Sequence, residues 1–111
     1  MVYDFNVVTS IQAEEDLRGI FEYIAFELLS PENAEKQLER LERQILSLDE
    51  MPERFPRYGK EPWHSRGLHF VAVDNYIVFY ILDIEEQVVT ILRVMYSERN
   101  IEEQLSVHTK Q

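Results

Sequence analysis

The residues best suited to chemistry lie in the last third of the sequence. Arg66 precedes one apolar run, Arg93 interrupts another, and Tyr96 and Arg99 follow directly after it. Guanidinium groups bind anions such as carboxylates and phosphates. The set is typical of a cationic and aromatic site, but Arg93 paired with an acid on a neighbouring strand, and Tyr96 as a surface residue, fit the spacing equally well.

Three apolar runs carry these side chains, at about residues 66–73, 76–83 and 87–95. They are rich in β-branched and aromatic residues, which pack well in a pleated sheet. Asp74-Asn75 suits a tight turn, and a polar stretch separates the second run from the third. The pattern predicts a three-stranded antiparallel meander. In such a meander the first and third strands start at the same end, so only the register decides whether Arg66 meets Arg93.

Both faces of the predicted meander are apolar. A sheet with one wet face should alternate apolar and polar residues, so we expect both faces to be covered. In the second strand one face carries Tyr76, Val78, Tyr80 and Leu82, and the other carries Ile77, Phe79 and Ile81. In the third strand we expect Val88, Leu92 and Val94 to oppose Val89, Ile91 and Met95.

The first half of the chain predicts a strand and a helical hairpin. A short strand covers Tyr3 to Thr9, and Thr9 or Ser10 caps a helix that ends near Leu29. Ser30-Pro31 starts a second helix, which Met51-Pro52 stops. An irregular stretch at 52–65 follows, anchored in part by Tyr58 and Trp63, and after the meander Ser97 caps a short final helix through Ile101 and Leu105. The predicted fold class is α+β in two layers, as a single domain over residues 1–111.

Composition excludes several kinds of site. With no cysteine among 111 residues, disulfides and thiolate metal sites are ruled out, and we expect a cytoplasmic location. The three histidines have no metal-ligand spacing, and glycine-rich phosphate loops and strained nucleophile turns are missing. We therefore expect no cofactor and no metal. No apolar run is long enough to suggest a membrane partner.

The charge is strongly acidic and unevenly distributed. The net charge is −10, and residues 10–53 hold twelve acidic and four basic residues. Residues 54–99 hold six of each, so a small basic surface survives there. Because phosphate binding rests on clustered lysine and arginine, we expect no direct DNA binding by this chain alone.

The order of the segments resembles a known family. The stretches that carry the resemblance are AEEDLRGIFEYI, SPENAEKQLERLERQILSLDEMPERFP, SRGLHFVAVDNYIVFYILD and VVTILRVMYSERN. Together with the N-terminal strand they resemble the RelE/ParE toxins of bacterial type II toxin–antitoxin systems. The resemblance covers nearly the whole chain and implies a RelE-like fold.

The family offers two mechanisms of growth inhibition. One branch consists of metal-independent endoribonucleases that cut messenger RNA in the ribosomal A site, and another branch poisons DNA gyrase. A third alternative is a toxin-fold module that has lost its activity. For RNA cleavage the resemblance implies that Arg66 and Arg93 stabilise the phosphate and that Tyr96 is the general base. Supporting RNA contacts would come from the following residues: Arg57, Lys60, His69 and Arg99.

Charge bears on the choice of target and partner. Ribosome-cutting members of the family resemble basic proteins, whereas a chain of charge −10 is repelled by RNA at long range. Gyrase poisoning needs no catalytic residue in the toxin. In either branch the resemblance implies a tight complex with a cognate antitoxin, which we expect to be richer than usual in apolar residues, lysine and arginine.

Overall fold

The computed structural model describes residues 4–110, which form four strands and three α-helices. In chain order the elements are β1 Asn6–Thr9, α1 Ile11–Glu22, α2 Pro31–Leu46, β2 Leu68–Val73, β3 Tyr76–Asp83, β4 Val88–Tyr96 and α3 Ile101–His108. This order confirms the predicted α+β class. No helix among these residues has the length and apolar character that crossing a bilayer requires.

The four strands form one sheet in the order β1-β4-β3-β2. β2, β3 and β4 form the predicted antiparallel meander, and Asp74, in the turn between β2 and β3, adopts a φ of 55°. β1 lies parallel to β4, with Asn6 opposite Val88 and Thr9 opposite Ile91. Tyr3, where the predicted first strand begins, lies outside the described residues.

A β-bulge in β4 changes which side chains share a face. Phe79 pairs with Arg93 and Tyr80 pairs with Ile91, so Leu92 is one residue more than β3 can match. As a result Val94 packs with Val89 and Ile91 in one core, while Leu92 and Met95 pack in the other. The predicted grouping of Leu92 with Val94, and of Met95 with Ile91, is therefore wrong. A prediction that assumes strict alternation of side chains along the strand cannot account for the extra residue.

The helical hairpin covers one face of the sheet. Ser10 caps α1 as predicted, because its Oγ accepts a hydrogen bond from the Ala13 N–H at 3.0 Å. The apolar seams of α1 and α2 pack on the sheet in a core that includes Ala13, Leu41, Ile45, Leu48, Val78 and Tyr80. The Tyr80 hydroxyl, buried there, donates to the Pro52 carbonyl oxygen at 2.6 Å.

The second face is covered by the irregular stretch and by α3, which fulfils the expectation that neither face is wet. Trp63 and Leu105 are both buried and pack on the sheet side chains Leu68, Phe79, Leu92 and Met95. The predicted capping of α3 by Ser97 is wrong. Asn100 is the cap, since its Oδ1 accepts from the Glu103 N–H at 3.2 Å.

The turn between α1 and α2 contains an irregularity that the sequence pattern does not predict. The helix continues from α1 as a π-helical segment over Tyr23–Glu27 and stops just before the predicted end at Leu29. Leu29 itself has a φ of 54°, in the left-handed region. A π-helical turn is wider than an α-helical one and recurs at functional sites.

Candidate functional site

Arg93 lies almost completely buried in β4, with 4% of its surface exposed. Its Nε and Nη2 donate to the two carboxylate oxygens of Asp16, at 2.7 and 2.9 Å. Its Nη1 donates to the His108 carbonyl oxygen at 3.2 Å and to Thr109 Oγ1 at 3.1 Å. All three guanidinium nitrogens therefore bond within the protein. Arg93 joins β4 to α1 and to the end of α3.

Asp16 reaches Arg93 because β1 is shorter than β4. Beyond the pair Thr9–Ile91 the edge of β4 has no strand beside it, and α1 fills the place. There Asp16 Oδ2 also accepts a hydrogen bond from the Val94 N–H at 2.9 Å, so this main-chain donor at the edge of β4 has a partner. Sequence reasoning missed this acid. Only the position of Asp16 in the sequence could have indicated its role. It lies between Ala13 and Ile20 on the face of α1 that packs on the sheet, where apolar side chains are expected.

Arg66 and Tyr96 lie at opposite ends of the sheet. Tyr96 pairs with Tyr76, whereas Arg66 precedes Leu68, the first residue of β2, which pairs with Ile81. The rows of Tyr76 and Leu68 are five residues apart, or roughly 16 Å along a strand. Arg66 instead places its guanidinium over the Trp63 ring, 5.2 Å from the centroid. The three predicted catalytic side chains are therefore not brought together around one reacting atom.

Tyr96 is partly exposed at the end of β4, beside Tyr76 and Glu98. Its ring centroid lies 5.9 Å from that of Tyr76, and its hydroxyl donates to Glu98 Oε2 at 3.3 Å. The negative charge of Glu98 raises the pKa of Tyr96, and desolvation and the hydrogen bond to Glu98 act in the same direction. A general base requires the opposite shift, toward phenolate at neutral pH.

Replacing Glu98 with glutamine should lower the pKa of Tyr96 toward its ordinary value, because the largest cause of the raised pKa is removed. The pKa is measured by following the tyrosine ring signals in NMR spectra as the pH rises, with Tyr96→Phe used to assign the signal. Glu85→Gln, in the exposed turn between β3 and β4, is the matched control and should leave the Tyr96 titration unchanged. An identical Tyr96 titration in Glu98→Gln would contradict the assigned cause.

Three of the predicted supporting residues contact other parts of the protein. Lys60 is tied to α3 by an ion pair, with its Nζ 2.9 Å from Glu102 Oε2. His69 is buried, stacks on the Tyr80 ring at 5.5 Å and bonds through Nδ1 to the Gly67 carbonyl oxygen. Arg57 forms an isolated β-bridge with His69. Arg57 and His69 are therefore neighbours, whereas Lys60 is bound to α3.

Arg99 is different, because it lines a groove between the helical hairpin and the sheet. The groove has a volume of about 940 Å³ and is bounded by α1, the π-helical segment, α2 and the ends of β3 and β4. Three tyrosines line it: Tyr23, Tyr76 and Tyr96. We call this the hairpin groove. Within residues 4–110, no three histidine, aspartate or glutamate side chains cluster in a way that could hold a metal ion.

Comparison with known proteins assigns the family. The family profile described as the ParE toxin of the type II toxin–antitoxin system parDE matches residues 7–101. The chain belongs to the ParE toxin family. This ParE-family chain is the toxin component of a type II toxin–antitoxin system, which confirms the predicted resemblance. No protein of curated function matches it.

Solved structures support the ParE-family fold. The chromosomal ParDE toxin–antitoxin system of P. aeruginosa is 18% identical, with a TM-score of 0.72, over 86% of this chain and 99% of that one. The RelBE2 toxin–antitoxin complex of Mycobacterium tuberculosis is 20% identical, with a TM-score of 0.62, over 84% and 91%. A mutant of the E. coli toxin RelE in the free state is 15% identical, with a TM-score of 0.64, over 95% and 96%.

Proposed function

We propose that this ParE-family toxin inhibits growth by binding its target, as the gyrase-poisoning branch does, and not by cutting RNA. The observation that carries the proposal is the bonding of Arg93. A guanidinium that stabilises a phosphate in the transition state must have donors free to face it. In this chain those donors are directed to Asp16, His108 and Thr109, inside the protein.

Other features that RNA cleavage requires are also unfavourable in this protein. Cleavage by the 2′-hydroxyl needs a base and a cation within hydrogen-bond reach of one phosphate. Arg66 and Tyr96 are separated along the sheet, and Glu98 holds the pKa of Tyr96 above its ordinary value. The net charge of −10 further opposes entry into a site walled by RNA. A toxin that works by binding a protein needs none of these features.

The partner we propose is a cognate antitoxin, and the place of action is the cytoplasm. Two of the similar structures are toxin–antitoxin systems, and each aligns over most of this chain. The chain also exposes large apolar side chains on the hairpin turn, including Phe26 and Leu29. Several large apolar side chains exposed within one short turn are typical of a surface that binds another protein.

The test is induced expression in a bacterial host that lacks the antitoxin. We expect growth arrest by the native chain and by an Arg66→Ala, Tyr96→Phe double variant, both of whose altered side chains are exposed. Purified toxin should inhibit supercoiling by DNA gyrase. Mapping of messenger RNA ends should show no new cleavage sites. New cleavage sites that vanish in the double variant would instead establish the ribonuclease mechanism.

A further inference from the structure

Exposed apolar side chains are concentrated at the turn of the helical hairpin. Of the eleven large apolar side chains exposed within residues 4–110, four fall within residues 23–29. Two of them, Tyr23 and Leu28, line the hairpin groove. The other two, Phe26 and Leu29, are not part of its lining and are 66% and 81% exposed. We call the surface of Phe26 and Leu29 the hairpin tip.

Leu29 has a backbone conformation that disfavours a side chain. Its φ of 54° lies in the left-handed region, where a Cβ crowds the following carbonyl oxygen and where glycine is the usual residue after a helix. Main-chain hydrogen bonds of 3.0 Å close the turn, from the Leu28 N–H to the Tyr23 carbonyl oxygen and from the Ser30 N–H to the Ile24 carbonyl oxygen. These bonds require no side chain at position 29. A strained and exposed leucine that the fold does not need indicates a contact with another molecule.

The backbone that carries the hairpin tip is anchored on its inner side. Ile24 and Ala25, in the π-helical segment, are buried in one cluster with Ala34 of α2. Phe26, the next residue, is turned toward water. Because the segment is already held against α2, a partner that covers Phe26 does not have to order the backbone around it. Binding to a preorganised surface loses less conformational entropy than binding to a mobile one.

The charge around the hairpin tip is entirely negative. Residues 22–35 contain four glutamates and no lysine or arginine. All four, Glu22, Glu27, Glu32 and Glu35, are exposed, and none forms a salt bridge with the described residues. Two copies of this surface repel each other, and an anionic lipid surface repels it as well. The complementary surface on a partner is an apolar pocket with lysine or arginine on its rim.

We propose that the hairpin tip contacts the target protein, with Phe26 and Leu29 entering an apolar pocket whose rim is basic. The inference rests on the proposed function, because a toxin that acts by binding must recognise its target through side chains exposed to water. Enzymes that hold DNA carry clustered lysine and arginine for the phosphates. A target of that class, as the gyrase-poisoning branch has, therefore offers the basic surface that the glutamates around the tip require.

The test compares two tip variants with matched controls as purified full-length chains. Leu29→Gly removes the side chain and suits the left-handed backbone, and Met51→Gly makes the same change at another exposed residue, whose φ is 45°. Glu27→Lys reverses a charge beside the tip, and Glu85→Lys reverses an exposed charge in the turn between β3 and β4. We expect both tip variants to keep native stability in urea and to require at least about tenfold more protein for half-inhibition of supercoiling by gyrase. Both controls should match the native chain.

Native potency of Leu29→Gly would overturn this inference and leave the proposed function standing. The tip would belong to the antitoxin if Leu29→Gly kept its potency and bound the protein encoded beside the toxin gene more weakly. It would belong to a second copy if the native chain sedimented as a dimer and Leu29→Gly as a fully potent monomer. A native chain that arrests growth without inhibiting gyrase would refute the gyrase target, and growth arrest by Leu29→Gly at equal protein level would then decide the tip. A native chain without any effect would refute both the proposed function and this inference.

Discussion

An Asp16→Asn variant should lose about 3–5 kcal/mol of unfolding free energy, because Arg93 would remain buried without its counter-charge. The two side chains are 12% and 5% exposed, so solvent screens the pair weakly. The same carboxylate also accepts a hydrogen bond from the Val94 N–H at the edge of β4. Small domains are stable by about 5–15 kcal/mol in total, so the variant should be close to unfolding. Urea denaturation followed by the fluorescence of Trp63, the single tryptophan, measures the change.

Two companion variants distinguish the ion pair from a general effect of mutation. Glu15→Gln removes the neighbouring charge, which is exposed, and should change the stability by less than about 0.5 kcal/mol. Replacing Asp16 with leucine and Arg93 with methionine together should recover most of the loss, because a buried pair replaced by apolar groups of similar volume is often neutral. A loss below about 1 kcal/mol for Asp16→Asn would contradict the structural role given to Arg93.

A Trp63→Ala variant should lose about 3–5 kcal/mol, the usual effect of deleting a large aromatic side chain from a core. Trp63 is 4% exposed and holds the irregular stretch against the sheet face that α3 also covers. Circular dichroism in urea measures the change, since the fluorescent group is removed. Cooperative unfolding should be retained, because the core under the helical hairpin does not include this residue.

Trp63→Phe is the control for this variant. It keeps an aromatic ring in the site, and the indole N–H that it removes makes no hydrogen bond with the described residues. The loss should therefore be much smaller than for alanine. Equal losses in the two variants would mean that the irregular stretch depends on the shape of the indole and not on the apolar area that it buries.

Local signals predicted most of the elements. The Asp74 turn fixed the register of β2 and β3, and Ser30-Pro31 placed the start of α2 at the observed residue. Both depend on backbone preferences of a few adjacent residues. The bulge at Leu92 and the π-helical segment at Tyr23–Glu27 interrupt the regular period of their elements, so a periodic pattern does not predict them.

The candidate site was harder to predict because its contacts are distant in sequence. Arg93 bonds to Asp16, 77 residues away, and spacing alone could not separate this pair from a free phosphate-binding arginine. The lining of the hairpin groove could not be predicted from spacing either, since it combines residues of both helices with the ends of two strands. The position of an acid in an apolar helical stripe was the one signal of the buried pair available in the sequence.

The parallel pairing of β1 with β4 has a consequence for the time at which the toxin becomes complete during synthesis. Asn6 pairs with Val88, so β1, the first strand to be synthesised, can pair only after β4, the last strand, has been made. At about 5–20 residues per second, translation of the intervening residues takes roughly 4–16 s. Until then β4, which lies between β1 and β3, is missing. The carboxylate of Asp16 also lacks the Arg93 guanidinium with which it forms an ion pair. A chain that ends before β4 therefore lacks both the strand that lies between β1 and β3 and the partner of Asp16, so we expect it not to reach the folded state.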